Sequence, residues 1–170
     1  MKLCSKRAVI KPLTEEDIPF IVNMYKEPDS FKYVKPFKGK SDDFYKDFLK
    51  KKIESNITEI GFWTVYKKET SEFIGTVNLN QFASTTMNQI GCHLKRKFWN
   101  NGYAYELLEK ILEYGIKERH LDEIFGIFEE KNIASRKLLE KMNFKLFEKR
   151  TILNSKVNIY KYCTLSNRIS

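Results

Sequence analysis

Apolar residues recur at three- and four-residue spacing through Tyr103, Leu107, Leu108, Ile111, Leu112 and Ile116. That period predicts an amphipathic helix. Glu106, Lys110, Glu113 and Lys117 stand on its other faces, spaced for i,i+4 ion pairs. Ahead of it, Met87 to Leu94 holds the short mixed run Gln89-Ile90-Gly91-Cys92-His93-Leu94, too brief for a helix and read as a strand. Between the two lies a polar turn, Asn100-Asn101-Gly102, whose residues tolerate positive φ. A strand, a tight turn and a helix in that order leave free backbone N–H groups where the helix dipole is positive. Such a place suits an anion such as phosphate. An ordinary strand–helix connection carries the same pattern.

The rest of the chain divides in the same way. Arg7 to Pro12 predicts a first strand, and Thr14-Glu15-Glu16-Asp17 the start of a helix running to Lys26. Glu27 to Lys40 is loop-like, broken by Pro28, Pro36 and Gly39. Its Phe31, Tyr33, Val34 and Phe37 either line a substrate mouth or pack the loop down. Ser41-Asp42-Asp43 opens a helix to Ser55. Thr58 to Tyr66 and Glu72 to Phe82 predict an antiparallel pair joined by a charged turn. After the long helix come a strand at Asp122 to Phe128 and a helix from Asn132 to Met142, with Asn143 placed for a left-handed stop. A last hairpin, 144–151 and 157–165, turns around Asn154-Ser155. These seven strands, with one β–α–β crossover between 87–94 and 123–128, predict a mixed α/β sheet flanked by helices. No linker or repeat divides residues 1–170, so a single domain is expected.

Composition narrows the class. At 170 residues and 42% hydrophobic, the chain can bury a core. It has no apolar run near the ~20 residues of a membrane helix, and Met1 to Arg7 shows no apolar signal region. A cytoplasmic protein with no membrane partner is expected. Cys4, Cys92 and Cys163 match no zinc or disulfide framework, and His93 and His120 are too far apart for a local metal motif. No metal is expected. The net charge of +9 fits either a polyanionic partner or a lysine-rich surface.

Ile90-Gly91-Cys92-His93-Leu94, Phe98-Trp99-Asn100-Asn101-Gly102-Tyr103-Ala104-Tyr105-Glu106 and Asn132-Ile133-Ala134-Ser135, followed by Glu140-Lys141-Met142-Asn143-Phe144, occur in this order. Together they resemble the GNAT N-acetyltransferases, in particular the ribosomal-protein alanine and serine N-terminal acetyltransferases. The opening, Arg7 to Asp17, and Ile74-Gly75-Thr76-Val77 extend the similarity over most of the chain. The resemblance implies the acyl-CoA N-acyltransferase fold: a mostly antiparallel seven-stranded sheet with about four helices, splayed between strands 87–94 and 123–128. It implies acetyl-coenzyme A as donor and a primary amine as acceptor, a protein N-terminus among the candidates, in direct attack within a ternary complex. Small acceptors such as aminoglycosides, polyamines or amino acids stay open. So does a catalytically decayed module that binds RNA or a ribosome. Nucleic acid is not required, and monomer and homodimer are equally compatible.

Within that resemblance the donor-binding residues are Cys92, His93, Leu94, Lys97, Asn100, Asn101, Gly102, Tyr103, Ala104, Asn132 and Ser135. Asn100 stands where the family has Gly, and Lys97 where it usually has Arg or Gln. Acetyl transfer needs a neutral amine, a polarised carbonyl and a proton for the leaving thiolate. Many relatives use a Tyr as the acid, at the slot of Leu139; the resembled branch uses the Ser of Asn-x-x-Ser, here Ser135. Asn132 and Ser135 also suit plain capping of a helix. Gln89 fills a slot often held by Glu and cannot take a proton. His93, on the same face of the strand, is the candidate base. Glu106 either binds substrate or only sits on its helix. Cys92 is a candidate nucleophile or a buried structural cysteine.

Overall fold

A computed structural model of the chain describes residues 2–55, 61–82 and 85–164. In chain order its elements are β1 (Leu3–Cys4), β2 (Ala8–Pro12), α1 (Ile18–Tyr25), α2 (Asp42–Ser55), β3 (Gly61–Lys67), β4 (Phe73–Gln81), β5 (Asn88–Leu94), α3 (Tyr103–Lys117), β6 (Glu123–Glu129), α4 (Ile133–Lys141), β7 (Lys145–Ile152) and β8 (Ser155–Cys163). Among the described residues eight strands form one sheet in the order β1-β2-β3-β4-β5-β6-β8-β7. The eighth strand, beyond the seven expected, is β1, which pairs only Leu3 and Cys4 with β2. Two residues are too few to show an alternation in sequence. The expected strand ends at Thr58 and Leu165 lie outside the described residues.

Local chemistry sets the element ends. Thr14 introduces a 3-10 turn, Glu15–Asp17, in place of the first α-turn. The Asp17 carboxylate accepts the N–H and the hydroxyl of Thr14, each at 2.9 Å, and α1 starts behind it. Asn143 stops α4 at φ 64. The N–H groups of Asn143 and Phe144 then return to the carbonyls of Glu140 and Leu139, the double closure of a left-handed helix end. The last hairpin turns on Leu153 and Asn154, both left-handed, one residue earlier than expected.

The core has two halves, one on each face of the sheet. Leu107, Leu108, Ile111 and Leu112 of α3 pack with Ile90, Leu94, Ile124, Phe128 and Leu139. Ile21, Val22 and Met24 of α1 pack with Tyr45, Leu49, Phe62 and Phe73 on the opposite face. α4 lies close on β6. A Cβ on Gly126 would stand 2.4 Å from Leu139 Cδ1, so the helix needs a glycine beneath it.

The neighbours β4/β5 and β6/β8 each share seven register pairs. β5 and β6, the one parallel pair among the described residues, share a single one, Gln89 with Phe125. Beyond that point the two strands part.

Candidate active site

The parting of β5 and β6 exposes main chain as well as side chains. The N–H of Lys95 bonds the Ile74 carbonyl at 2.9 Å. In an antiparallel ladder this fixes the alternation: Gln89, Gly91 and His93 bond to β4, while Cys92 and Leu94 turn their backbone the other way, toward the parting, the Leu94 carbonyl accepting the Trp99 indole N–H at 2.8 Å. Of the three strand residues expected at the donor, two aim backbone at the gap. His93 aims its backbone the other way.

The turn ahead of α3 holds the expected free amides. Asn100 has φ 58 and Gly102 φ 78, so Asn100 takes the left-handed conformation that glycine adopts most easily. The first backbone bond into α3 runs from Glu106 N–H to the Gly102 carbonyl, 3.2 Å. Among the described residues no acceptor meets the N–H groups of Asn100 to Tyr105. The Asn101 side chain ties the turn down through the carbonyls of Trp99 (3.0 Å) and Lys97 (3.3 Å). The Tyr103 ring is buried against Phe98, and Ala104 packs on the same core. Lys97 does not stand free for an anion: its ammonium pairs with Glu72 at the surface.

At the start of α4, Asn132 Oδ1 accepts the Ser135 N–H at 3.1 Å. The cap uses the carbonyl oxygen only and leaves the amide NH₂ of Asn132 unengaged among the described residues. Ser135 is half-buried, and its hydroxyl has no partner among them. Leu139, at the slot where the resemblance puts a Tyr in many relatives, is buried against Gly126 and offers no hydroxyl.

The proton-handling candidates separate sharply. Ser30 Oγ donates its one hydrogen to the Met24 carbonyl, so its 2.6 Å contact with His93 Nε2 has the imidazole as donor. Tyr25 and Phe31 meet the ring edge-on, and burial pulls its pKa down to about 4. His93 is thus neutral and weakly basic. Phe31, with Phe37 on Phe48, also pins loop 27–40 to the helices. Glu106 lies elsewhere, with one oxygen on Ser5 Oγ and Arg7 N–H (2.6 Å each) and the other on Arg7 Nε (2.7 Å). The i,i+4 pair expected with Lys110 is replaced by this one. Burial pushes the Cys92 thiol up to about 12, which leaves it protonated.

Glu129 enters the site unannounced. The expected strand stops at Phe128, whereas β6 continues one residue further. Glu129 shares a face with Phe125, Gln89 and His93, because Ile90, Leu94 and Phe128 all turn into the α3 side. Counting on from the Gln89–Phe125 pair sets Glu129 across the parting from His93. Its Oε2 is buried without a hydrogen-bond partner among the described residues. The other carboxylates nearby are committed: Glu148 to Arg150 and Glu130 to Lys149.

The fold and the sequence have counterparts. A family model described as Acetyltransferase (GNAT) domain matches residues 7–145. An uncharacterised N-acetyltransferase of Bacillus licheniformis is 27% identical over 146 residues, covering 84% of this chain and 81% of the relative. A GNAT-family acetyltransferase from Bacillus anthracis superposes with a TM-score of 0.83 at 20% identity, over 96% of this chain and 98% of its own. RimL, a ribosomal L7/L12 α-N-protein acetyltransferase solved with coenzyme A, superposes at 0.81 with 13% identity, over 96% and 98%.

Proposed function

The chain belongs to the GNAT acetyltransferase family and is an acetyl-CoA-dependent N-acetyltransferase; from that premise we propose that its acceptor is the α-amino group of a protein N-terminus, attacked directly in a ternary complex. The observation that carries the acceptor class is the weakness of the bases beside the parting. Gln89 takes no proton, and His93 is held near pKa 4. An α-amino group, with a pKa of about 7.7–8.0, is already partly neutral at working pH, whereas lysine-like and polyamine amines near 10.4 are not. That RimL, which shares this fold, is an α-N-protein acetyltransferase supports the same class of acceptor.

Acetyl-coenzyme A supplies the acetyl group as a thioester. Amides of Asn100 to Tyr105 hold its diphosphate, and the backbone of Cys92 and Leu94 pairs with its pantetheine arm as an added strand. Their N–H groups also polarise the thioester carbonyl. The Asn132 NH₂ orients the arm, and Ser135 protonates the leaving thiolate. Glu129 attracts the ammonium form of the acceptor; the neutral fraction attacks, and the proton the amine sheds as the amide forms returns through water to the Ser135 oxygen.

The test is acetyl transfer to peptides with free N-termini, their N-capped forms, polyamines, aminoglycosides and free amino acids. Free-N-terminal peptides are expected to turn over at least about tenfold faster than any other class. Faster turnover of a small amine overturns the acceptor class. Salt-sensitive RNA binding with no transfer to any amine overturns the enzymatic reading.

A further inference from the structure

We propose that Arg7, far from the reacting atoms, is a positioning residue for the donor's diphosphate: its guanidinium pins the Asn101 carbonyl and thereby aims the Gly102 N–H outward at the anion. The proposal rests on the assignment of the Asn100–Tyr105 amides to the donor.

The Asn101 side chain ties down the start of the turn but not its last peptide. Asn101 lies between two left-handed residues, and among the described residues no backbone bond fixes the peptide that joins Asn101 to Gly102. Rotating that one unit would turn its N–H away from the anion at little cost elsewhere. A peptide is planar and trans, so its C=O and N–H point opposite ways. Whatever holds the Asn101 carbonyl toward Arg7 therefore holds the Gly102 N–H facing away from it. Nη1 and Nη2 of Arg7 both donate to that carbonyl, each at 3.1 Å.

Arg7 is itself fixed on three sides. Its Nε donates to Glu106 Oε2 at 2.7 Å. Its own N–H donates to Glu106 Oε1 at 2.6 Å, beside the Ser5 hydroxyl at the same distance. Its guanidinium lies 4.0 Å over the Tyr103 ring. Burial works against charge on Glu106, but the bonds from Ser5 and Arg7 outweigh it and hold the carboxyl below the usual range. The clamp thus joins the bend before β2, the first turn of α3 and the amide turn. A planar fork suits one carbonyl approached by two N–H groups; an ammonium offers only a point charge.

The experiment compares kcat/KM for acetyl-coenzyme A with that for S-acetylpantetheine, which lacks the diphosphate and nucleotide. Arg7→Gln and Arg7→Lys are expected to lower the ratio of the two at least about tenfold. Glu106→Gln, which keeps an oxygen for Ser5 and Arg7, is expected to lower it less. A wild-type ratio in Arg7→Lys overturns the proposal, because charge alone would then suffice. Equal losses with both donors, together with a fallen Tm, overturn it as mere destabilisation. If the wild-type enzyme itself shows no preference for acetyl-coenzyme A, the turn's assignment fails, and the role of Arg7 with it.

Discussion

Burial holds His93 at a pKa of about 4, against 6.5 for the free side chain, and this difference couples folding to pH. Between those values the unfolded chain binds a proton that the folded chain refuses. Stability is undiminished above pH 6.5, falls as pH drops through the window, and levels off below about 4. The full loss is ~3 kcal/mol. His93→Gln keeps a donor for Ser30 and does not titrate there. In urea melts at pH 7 and pH 5 it is expected to lose about 2 kcal/mol less than wild type; parallel losses would exclude this coupling. Ser135 makes the complementary case. Its hydroxyl has no partner among the described residues, so Ser135→Ala removes little structure. Turnover is expected to drop about 10²-fold while coenzyme A affinity stays within about twofold. An unchanged rate would remove its role as the acid. Glu129 shows where sequence is mute: a glutamate at a strand end is ordinary, and its lack of a partner exists only in three dimensions.

Elements differ in how much of themselves they write into sequence. The 3.6-residue period of α3 and the Asn143 stop of α4 are local, and both stand as expected. β1 is two residues long and has no period to read. The Glu106–Arg7 bond spans 99 residues, so local spacing assigned Glu106 to Lys110 instead. The seat of α4 on β6 is likewise tertiary. A Cβ on Gly126 would stand 2.4 Å and 2.8 Å from the two methyls of Leu139. Gly126→Ala is therefore expected to push α4 off the sheet, at a cost of about 1–3 kcal/mol. Leu139→Ala alone leaves a cavity and costs about 2–5 kcal/mol. Together they relieve each other, and the double variant should be about 1 kcal/mol or more stabler than the sum of the two losses. Additive losses in denaturant melts would mean that the contact does not set the position of the helix, and with it the position of Ser135.

At the scale of the whole molecule the sheet is two blocks, β1–β5 and β6–β8, hinged at a single register pair. The parting is a defect by the rules of sheets, since it leaves backbone groups unpaired inside a folded domain. The defect makes sense as an unfilled strand position, and backbone exchange can test it. Gly91 and His93 bond to β4 whether or not a donor is present, so their amides should exchange slowly in both states. Cys92 and Leu94 face the parting and should exchange faster in the free protein. Acetyl-coenzyme A is expected to slow Cys92 and Leu94 at least about tenfold, and the amides of Asn100 to Tyr105 with them, while Gly91 and His93 change little. Uniform slowing along β5 would signal general stabilisation by a ligand bound elsewhere. Slowing at the turn without slowing at Cys92 and Leu94 would place the diphosphate but leave the parting without its strand. The alternation of protected and newly protected residues is thus a direct readout of the geometry, one amide at a time.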